Sequence, residues 1–261
     1  MIEMLRLIAF VQLLLVVLYL GRIGLVGVFL ATLCLMVLYL WVTKRSLDKI
    51  HTPLKYEDMP WLYDSVARMA NRAKIKTPKV YILEDYIPNA YSFKDSIVLS
   101  LGLFEVLQEN EILGVVAHEI GHIKNKDTLL FPLISYGRYW MITLSMLTLF
   151  SFNLRAILVS LILLLAYEHQ RVRFFKKREF MADKAALYVL ERPFDLKDAL
   201  EELSYYEDLR IKVKENVLPG IEPKIERKQK KVFMEMHPPY DERIWKIMVE
   251  AAALDLMGKL N

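Results

Sequence analysis

Two separate blocks of apolar residues constrain this chain more than any other feature of its sequence. One block lies within residues 1–43 and the other within residues 128–170, and each is followed by a cluster of lysine and arginine. Of the 261 residues 55% are hydrophobic, which exceeds the share of about 45–50% that is typical of soluble domains. Because the excess is concentrated in these two blocks, it indicates contact with lipid rather than a large soluble core.

The first block consists of two apolar stretches, residues 1–20 and 25–42, with Gly21-Arg22-Ile23-Gly24 between them. Each stretch approaches the roughly 20 residues that a helix needs to cross a bilayer. A cleaved signal peptide is the alternative for the first stretch, but a second long apolar stretch follows it at once. We therefore predict a transmembrane helical hairpin over residues 1–43.

Basic residues beside the apolar blocks predict the orientation in the membrane. Lys44, Arg45 and Lys49 follow the second apolar stretch, whereas the connector carries only Arg22. By the positive-inside rule, the polar residues after the first hairpin face the cytoplasm, and the N-terminus lies on the same side. This predicts a multi-pass protein of the cell (inner) membrane with both termini and the polar part of the chain in the cytoplasm.

The second block, residues 128–170, is harder to interpret. Residues 128–152 are long enough to span a bilayer, but they include Arg138, which is costly at the centre of a membrane. The apolar run over residues 156–167 rises only about 18 Å as a helix, less than the hydrocarbon core of roughly 30 Å. We favour two membrane spans here, and a shallower hairpin is the alternative.

The polar residues predict an α+β fold that is mainly α, with a small antiparallel sheet. Apolar periodicity predicts helices over residues 60–73, 109–124, 178–190, 195–212 and 241–256. Alternating residues predict strands over residues 79–83, 90–93 and 96–100. Residues 213–231 combine prolines with many charges, which is typical of a mobile loop.

The strongest chemical signal is His118-Glu119-Ile120-Gly121-His122, within the predicted helix 109–124. Histidines four residues apart project from one face of a helix, one turn apart, so both can bind a single metal ion. Glu119 lies between them and can accept a proton from water at an open coordination position, as in the zincins. The alternative is a pair of ordinary helix histidines, although the chain has only five.

A catalytic zinc ion takes three protein ligands and leaves one position open, so a third ligand is required. Cys34 is the only cysteine and lies in an apolar block, and a single cysteine also excludes a disulfide within the chain. Glu179 is the candidate, and Asp183 follows one turn later, where its carboxylate can accept the N–H of a ligating histidine. The residues alone leave open whether Glu179 is instead a solvated side chain beside Arg178.

Four features of the chain occur in the order found in the HtpX-like membrane zinc metalloproteases, a family that the chain resembles over essentially its whole length. These features are Asn89-Ala90-Tyr91, the helix with His118 and His122, Glu179 with Asp183, and His237-Pro238-Pro239 followed by Arg243. Such proteases degrade damaged or misfolded membrane proteins in stress response and quality control, and a related branch cleaves prenylated peptides. The resemblance implies a zincin-type protease domain.

The resemblance also implies roles for the motif residues. His118, His122 and Glu179 would bind one zinc ion, and Glu119 would be the general base. A zinc ion is implied by the ligand types and the family, since the spacing alone does not exclude cobalt or manganese.

Further roles follow from the same resemblance. Asp183 would support a ligating histidine, and His237 would hydrogen-bond the oxyanion of the tetrahedral intermediate. Asn89-Ala90-Tyr91 would form an exposed strand edge that pairs with extended substrate. Three residues have open alternatives. His237 is an oxyanion donor, as we favour, or only a turn residue before two prolines. Arg243 supports the site or lies on the surface, and Asp127 braces a ligating histidine or, as we favour, caps the next helix.

The predicted organisation has four parts: membrane hairpins over residues 1–43 and 128–170, and two parts of the protease domain over residues 44–127 and 171–261. The expected partners are the lipid bilayer and membrane or unfolded protein substrates. The net charge of +4 is mild, and no basic run alternates with aromatics as in nucleic-acid grooves, so no nucleic-acid partner is expected.

Two other classes of protein compete with this interpretation. The pair Glu119 and His122 matches half of the signature of a membrane di-iron carboxylate protein, but no other histidine has a glutamate three residues before it. A non-catalytic membrane adaptor of the same fold is the second alternative, and the presence of every expected catalytic residue argues against it.

Overall fold

The computed structural model describes residues 1–43, 52–216 and 237–256. Within these ranges the elements are α1 (Ile2–Thr43), β1 (Thr52–Pro53), α2 (Pro60–Ala73), β2 (Lys79–Leu83), β3 (Ala90–Phe93), β4 (Ser96–Ser100), α3 (Leu101–Val106), α4 (Glu109–Lys124), α5 (Asp127–Leu149), α6 (Leu154–Val189), α7 (Phe194–Asn216) and α8 (Tyr240–Leu256). Two compact units emerge, residues 1–46 with 129–177 and residues 47–128 with 178–261.

In the first unit, α1 is interrupted at Gly21, whose backbone angles (φ 55°, ψ −130°) are not helical. A Cβ at Gly24 would lie 2.7 Å from the carbonyl oxygen of Val16. Residues eight apart cannot approach so closely in a straight helix, so the chain bends sharply between them. The transmembrane hairpin over residues 1–43 stays a prediction. Among the described residues, one helix, Ile2–Trp41, is long and apolar enough to cross a membrane. The spans predicted in residues 128–170 stay a prediction.

Arg138, which complicated the interpretation of the second block, has a carboxylate beside it. Its Nε lies 3.4 Å from Oε1 of Glu168, and Glu168 also accepts a hydrogen bond of 2.9 Å from Arg171. Both partners belong to the same unit as Arg138. The neighbouring carboxylate offsets part of the charge that made Arg138 costly in the sequence.

The second unit contains a four-stranded sheet in the order β1-β2-β4-β3. The prediction of an antiparallel sheet is wrong, because β2 and β4 pair in parallel, whereas the pairs β1 with β2 and β3 with β4 are antiparallel. After β2 the chain passes to the far edge as β3 and returns as β4 between the two. This return gives β4 the direction of β2 and leaves β3 at an edge of the sheet.

The helix α4 lies at the centre of the second unit, and its residues from Val115 to His122 are all buried. Its first turn is closed by the backbone N–H of Gln108, which donates to Glu111 Oε2 at 2.8 Å. Two glycines allow other helices to approach it: a Cβ at Gly114 would lie 2.7 Å from backbone atoms of α7, and one at Gly121 would lie 2.6 Å from Ala182 O in α6. The motif helix is therefore enclosed on several sides.

The helix α6 is longer than predicted, because it runs without interruption from Leu154 to Val189. The sequence interpretation divided this stretch into an apolar run, a basic segment and a separate helix over residues 178–190. No glycine or proline occurs between residues 154 and 189, so nothing in the sequence ends the helix. The predicted loop over residues 213–231 begins as helix, since α7 extends to Asn216, and the rest of it lies outside the described residues.

Candidate active site

Three buried side chains from two helices converge in the second unit. His118 and His122 lie on α4, and Glu179 lies on α6. The Nε2 atoms of the two histidines are 3.1 Å apart, and the carboxylate oxygens of Glu179 lie 3.6 Å from Nε2 of His118 and 3.5 Å from Nε2 of His122. The sequence-predicted ligands are thus brought together from positions about 60 residues apart in the chain.

Gly121 allows this convergence. A Cβ at this position would lie 2.6 Å from the carbonyl oxygen of Ala182 and 2.9 Å from its Cα, both backbone atoms of α6. The space beside Gly121 is therefore taken by the backbone of α6, which carries Glu179 one turn before Ala182.

The other ring nitrogen of each histidine faces an aspartate. Nδ1 of His118 lies 2.7 Å from Asp183 Oδ1, and Nδ1 of His122 lies 2.9 Å from Asp127 Oδ2. A carboxylate in this position accepts the Nδ1–H and so leaves Nε2 with its lone pair. For Asp127 we favoured a helix cap, whereas its side chain contacts His122 and is completely buried, which is the bracing alternative.

Arg243, whose role was open, is a buried residue of the site. It donates to both oxygens of Asp183, at 2.6 and 2.9 Å. One of its nitrogens also lies 3.3 Å from Nδ1 of His118. We assign the proton between His118 and Asp183 to the histidine, because that contact is shorter and the guanidinium group already donates to the aspartate.

This arrangement fits a metal ion. Two imidazole lone pairs and a carboxylate point at one another, and such acceptors repel unless a cation lies among them. Ligands at about 2.1 Å from a tetrahedral zinc ion stand about 3.4 Å from one another. The two Nε2 atoms are 3.1 Å apart, and Glu179 places Oε2 3.6 Å from one of them and Oε1 3.5 Å from the other. Among the described residues, His118, His122 and Glu179 form a group with metal-ligand spacing.

The charges of the site shift the pKa values of its groups. Burial raises the pKa of Asp183, but Arg243 and His118 outweigh it and lower the pKa to about 2. Burial also opposes ionisation of Glu179, yet hydrogen bonds from His118 and His237 hold its pKa well below the usual value. Burial and Arg243 lower the pKa of His118, whereas Asp183 and Glu179 raise it further, to about 9, so a proton on Nε2 must leave when a metal ion binds there. Both carboxylates are therefore ionised at neutral pH.

The remaining predicted residues also lie at or near this cluster. Glu119 is buried on α4 between the two histidines in sequence. Nδ1 of His237 lies 3.1 Å from Glu179 Oε2, while its side chain is 72% exposed. Ala90 and Tyr91 lie in the edge strand β3, and Asn89 directly precedes it, exchanging backbone and side-chain hydrogen bonds with Ser100.

Comparison with known proteins agrees with this geometry. The family model "Peptidase family M48" matches residues 57–251, which is most of the chain. The chain belongs to peptidase family M48. It is therefore a metalloprotease that hydrolyses peptide bonds, and the resemblance noted in the sequence is confirmed.

Curated relatives support the same assignment. A protein called "Protease HtpX homolog" from Thermoanaerobacter pseudethanolicus is 29% identical over 260 residues, covering 85% of this chain and 84% of the relative. Proteins of the same name from Sulfurihydrogenibium sp. and Dictyoglomus turgidum are 29% and 30% identical and cover 73% and 78% of this chain. The similarity to M48 proteins thus extends beyond the metal motif to most of the chain.

The sequence analysis missed the contact of Arg178 with Asp127 in this M48 site, and it gave too little weight to the contact of Asp127 with His122. Asp127 follows His122 by five residues, directly after the end of α4, and this spacing was a signal that its carboxylate can reach back to the ring. Arg178 was considered only as the neighbour of Glu179, whereas its guanidinium group donates to Asp127 and to the backbone carbonyl of Asn125.

Proposed function

We propose that the chain is a membrane-bound, zinc-dependent endopeptidase that cleaves misfolded or damaged membrane proteins at the cytoplasmic face. One observation carries the proposal: the buried convergence of His118, His122 and Glu179, with the two histidine Nδ1 atoms held by aspartates. A zinc ion bound there would lower the pKa of water and polarise the scissile carbonyl.

Two side chains of the protein would then transfer the proton and stabilise the negative charge that forms on the substrate. Glu119 would accept a proton from the attacking water and deliver it to the leaving amine, a role that needs a carboxylate beside the metal ligands. His237 would hydrogen-bond the oxyanion that forms on the carbonyl. Support for this role is the contact of His237 with Glu179 combined with its high exposure, since an exposed ring beside a ligand is within reach of substrate.

Substrate would bind as an added strand. The edge strand β3 offers backbone groups on the side away from β4, and α4 packs beside β3. An extended peptide that pairs with Asn89-Ala90-Tyr91 would receive main-chain hydrogen bonds without regard to its sequence. Such binding suits a protease that acts on many unfolded substrates.

Membrane attachment is supported by α1. Its side chains are apolar and largely exposed, including Leu18, Ile23 and Phe29. A row of exposed apolar side chains of this length is unfavourable in water and favourable in lipid. The cytoplasmic orientation rests on the positive-inside rule, with Arg22 in the connector against the basic residues after residue 43.

The decisive experiment measures proteolysis by the purified full chain in detergent, against a membrane protein substrate and against casein. Glu119→Gln should retain zinc and lose cleavage by about 100- to 10,000-fold, because the general base is removed while the ligands remain. Glu109→Gln is the matched control, since Glu109 is exposed on the same helix. It should cleave like the wild type.

Three results would count against the proposal. Cleavage by Glu119→Gln at the wild-type rate would exclude the mechanism. Two irons per chain rather than one zinc ion would favour the di-iron alternative. Cleavage of casein but of no membrane substrate would retain the protease and reject the proposed substrate class.

A further inference from the structure

Arg178 connects the two helices that carry the candidate metal ligands. Its Nε donates to Oδ1 of Asp127, and one of its terminal nitrogens donates to the backbone carbonyl of Asn125. Asn125 caps the end of α4 and Asp127 begins α5, whereas Arg178 lies on α6 directly before Glu179. The Asp127 side chain is completely buried, and only 15% of the Arg178 side chain is exposed.

The second oxygen of Asp127 is the one that faces Nδ1 of His122. Arg178, Asp127 and His122 therefore form a continuous series of hydrogen bonds. The series formed by Arg243, Asp183 and His118 on the other side of the site has the same chemistry. Each candidate histidine ligand is thus supported by an aspartate that is itself held by an arginine.

We propose that Arg178 is a positioning residue of the metal site, which orients Asp127 against His122 and fastens the end of α4 to α6 beside Glu179. The inference rests on the proposed function, because it presupposes that His122 and Glu179 bind a metal ion. We infer that Arg178 acts through its contacts with Asp127 and the Asn125 carbonyl.

The chemistry of the contacts explains why an arginine is suited to this position. A buried carboxylate requires a compensating charge, which Arg178 supplies to Asp127. The carbonyl of Asn125 is at the end of α4, where helix carbonyls lack partners within the helix. Lys126 adopts a left-handed conformation (φ 59°) in the tight turn that follows. The planar guanidinium group reaches both acceptors at once, which a lysine ammonium group does not do with the same fixed geometry.

The consequence is a ligand set that is held in place by protein contacts. Without Arg178, Asp127 is free to turn away from Nδ1, and His122 loses its fixed orientation. Loss of a partner of a metal ligand typically weakens metal binding about 10- to 100-fold. We expect Arg178→Gln to weaken zinc binding by this factor, and Arg178→Lys to recover part of the loss.

The experiment uses the full-length protein in detergent and measures zinc affinity by competition with a chelating dye. The absorption spectrum of the cobalt-loaded protein reports ligand geometry, and thermal unfolding of the metal-free protein reports the fold. Arg72→Gln is the matched control: Arg72 donates to the carbonyl of Val189 at the end of α6 and to Glu191, away from the site. It should keep wild-type zinc affinity and the wild-type cobalt spectrum.

A double variant separates positioning from folding. Arg178→Gln combined with Asp127→Asn removes the unpaired buried charge, so the fold recovers, while the amide remains a weaker acceptor for Nδ1 of His122. The double variant should fold and still bind zinc weakly. Wild-type zinc affinity and cobalt spectrum in either folded variant would overturn the inference, as would an equal loss in Arg72→Gln. A wild-type protein that binds no zinc would overturn the proposed function itself, and this inference with it.

Discussion

Gly121→Ala tests whether the close approach of α4 and α6 sets the geometry of the metal site. The new methyl group would lie 2.6 Å from the carbonyl oxygen of Ala182, whereas ordinary contact begins at 3.4 Å. The two helices would have to separate locally by about 0.8 Å to relieve the overlap, since the obstructing atoms are backbone and cannot rotate away. Overpacking of this kind costs about 1–3 kcal/mol of folding free energy.

This separation of α4 from α6 would displace the candidate ligands His122 and Glu179 from one another. His122 follows Gly121 in sequence, and Glu179 lies one turn before Ala182 on the opposite helix. Metal sites tolerate errors of only about 0.2 Å in ligand distances, so a shift of about 0.8 Å exceeds the tolerance several-fold. We therefore expect zinc affinity to fall by at least about 100-fold, the upper end of what loss of a ligand's supporting partner causes.

Gly114→Ala is the matched control, because the two glycines lie on the same helix. A Cβ at Gly114 would lie 2.7 Å from backbone atoms of Asp195 in α7, which carries no candidate ligand. Both variants should unfold at lower temperature, but only Gly121→Ala should lose zinc affinity in the folded protein, as measured by chelator competition below the unfolding temperature. Equal zinc affinity in the two folded variants would refute the argument.

Three other changes test the roles of individual groups. Asp183→Asn should weaken zinc binding about 10- to 100-fold, because an amide is a poorer acceptor for the Nδ1–H of His118; unchanged affinity in a chelator competition would contradict this. His237→Ala should lower kcat about 100- to 1000-fold and leave zinc affinity unchanged, as expected for an oxyanion donor, and steady-state kinetics with metal titration separate the two effects. In a Cys34→Ser background, Glu109→Cys should react with a membrane-impermeant thiol reagent only from the cytoplasmic side, and labelling from outside would reverse the proposed orientation.

The two histidine ligands could be predicted because their signal is local. His118 and His122 are related by helix periodicity, whereas the residues alone left Glu179 open and the family resemblance implied it as the third ligand. Their supporting groups were less accessible, since the contact of Asp127 with His122 depends on the tight turn at Asn125 and Lys126. Nothing in the sequence near Arg178 indicates that it reaches back to that turn across about 50 residues.

The arrangement of the sheet could not be predicted from its strands. Alternating residues located β2, β3 and β4 with their observed bounds, and the turn at Lys94 and Asp95 made β3 and β4 a hairpin. Which strand of that hairpin lies next to β2 depends on the packing of α4 against the sheet, a tertiary effect. The parallel pairing of β2 with β4 follows from that choice.

The length of α6 was predictable in principle. Its outward-facing side chains are apolar at Leu158, Ile162 and Leu165 and polar or charged at His169 and Arg173, and all five are exposed. This change of polarity suggested a change of structure, but it occurs along one face of an unbroken helix. A change of environment along the helix axis explains the pattern without any break in the backbone.

The carboxylates around the site divide according to whether an arginine compensates them. Four buried carboxylates belong to the described residues of the site: Glu119, Asp127, Glu179 and Asp183. Each aspartate has a guanidinium partner and accepts a histidine Nδ1–H, so its negative charge is already balanced by an arginine. The two glutamates have no arginine partner among the described hydrogen bonds. Glu179 instead faces His118, His122 and His237, and a divalent cation at the Nε2 atoms would balance its buried charge. On the proposed function, the arginines would keep the aspartates as supports and leave the glutamates for metal binding and proton transfer.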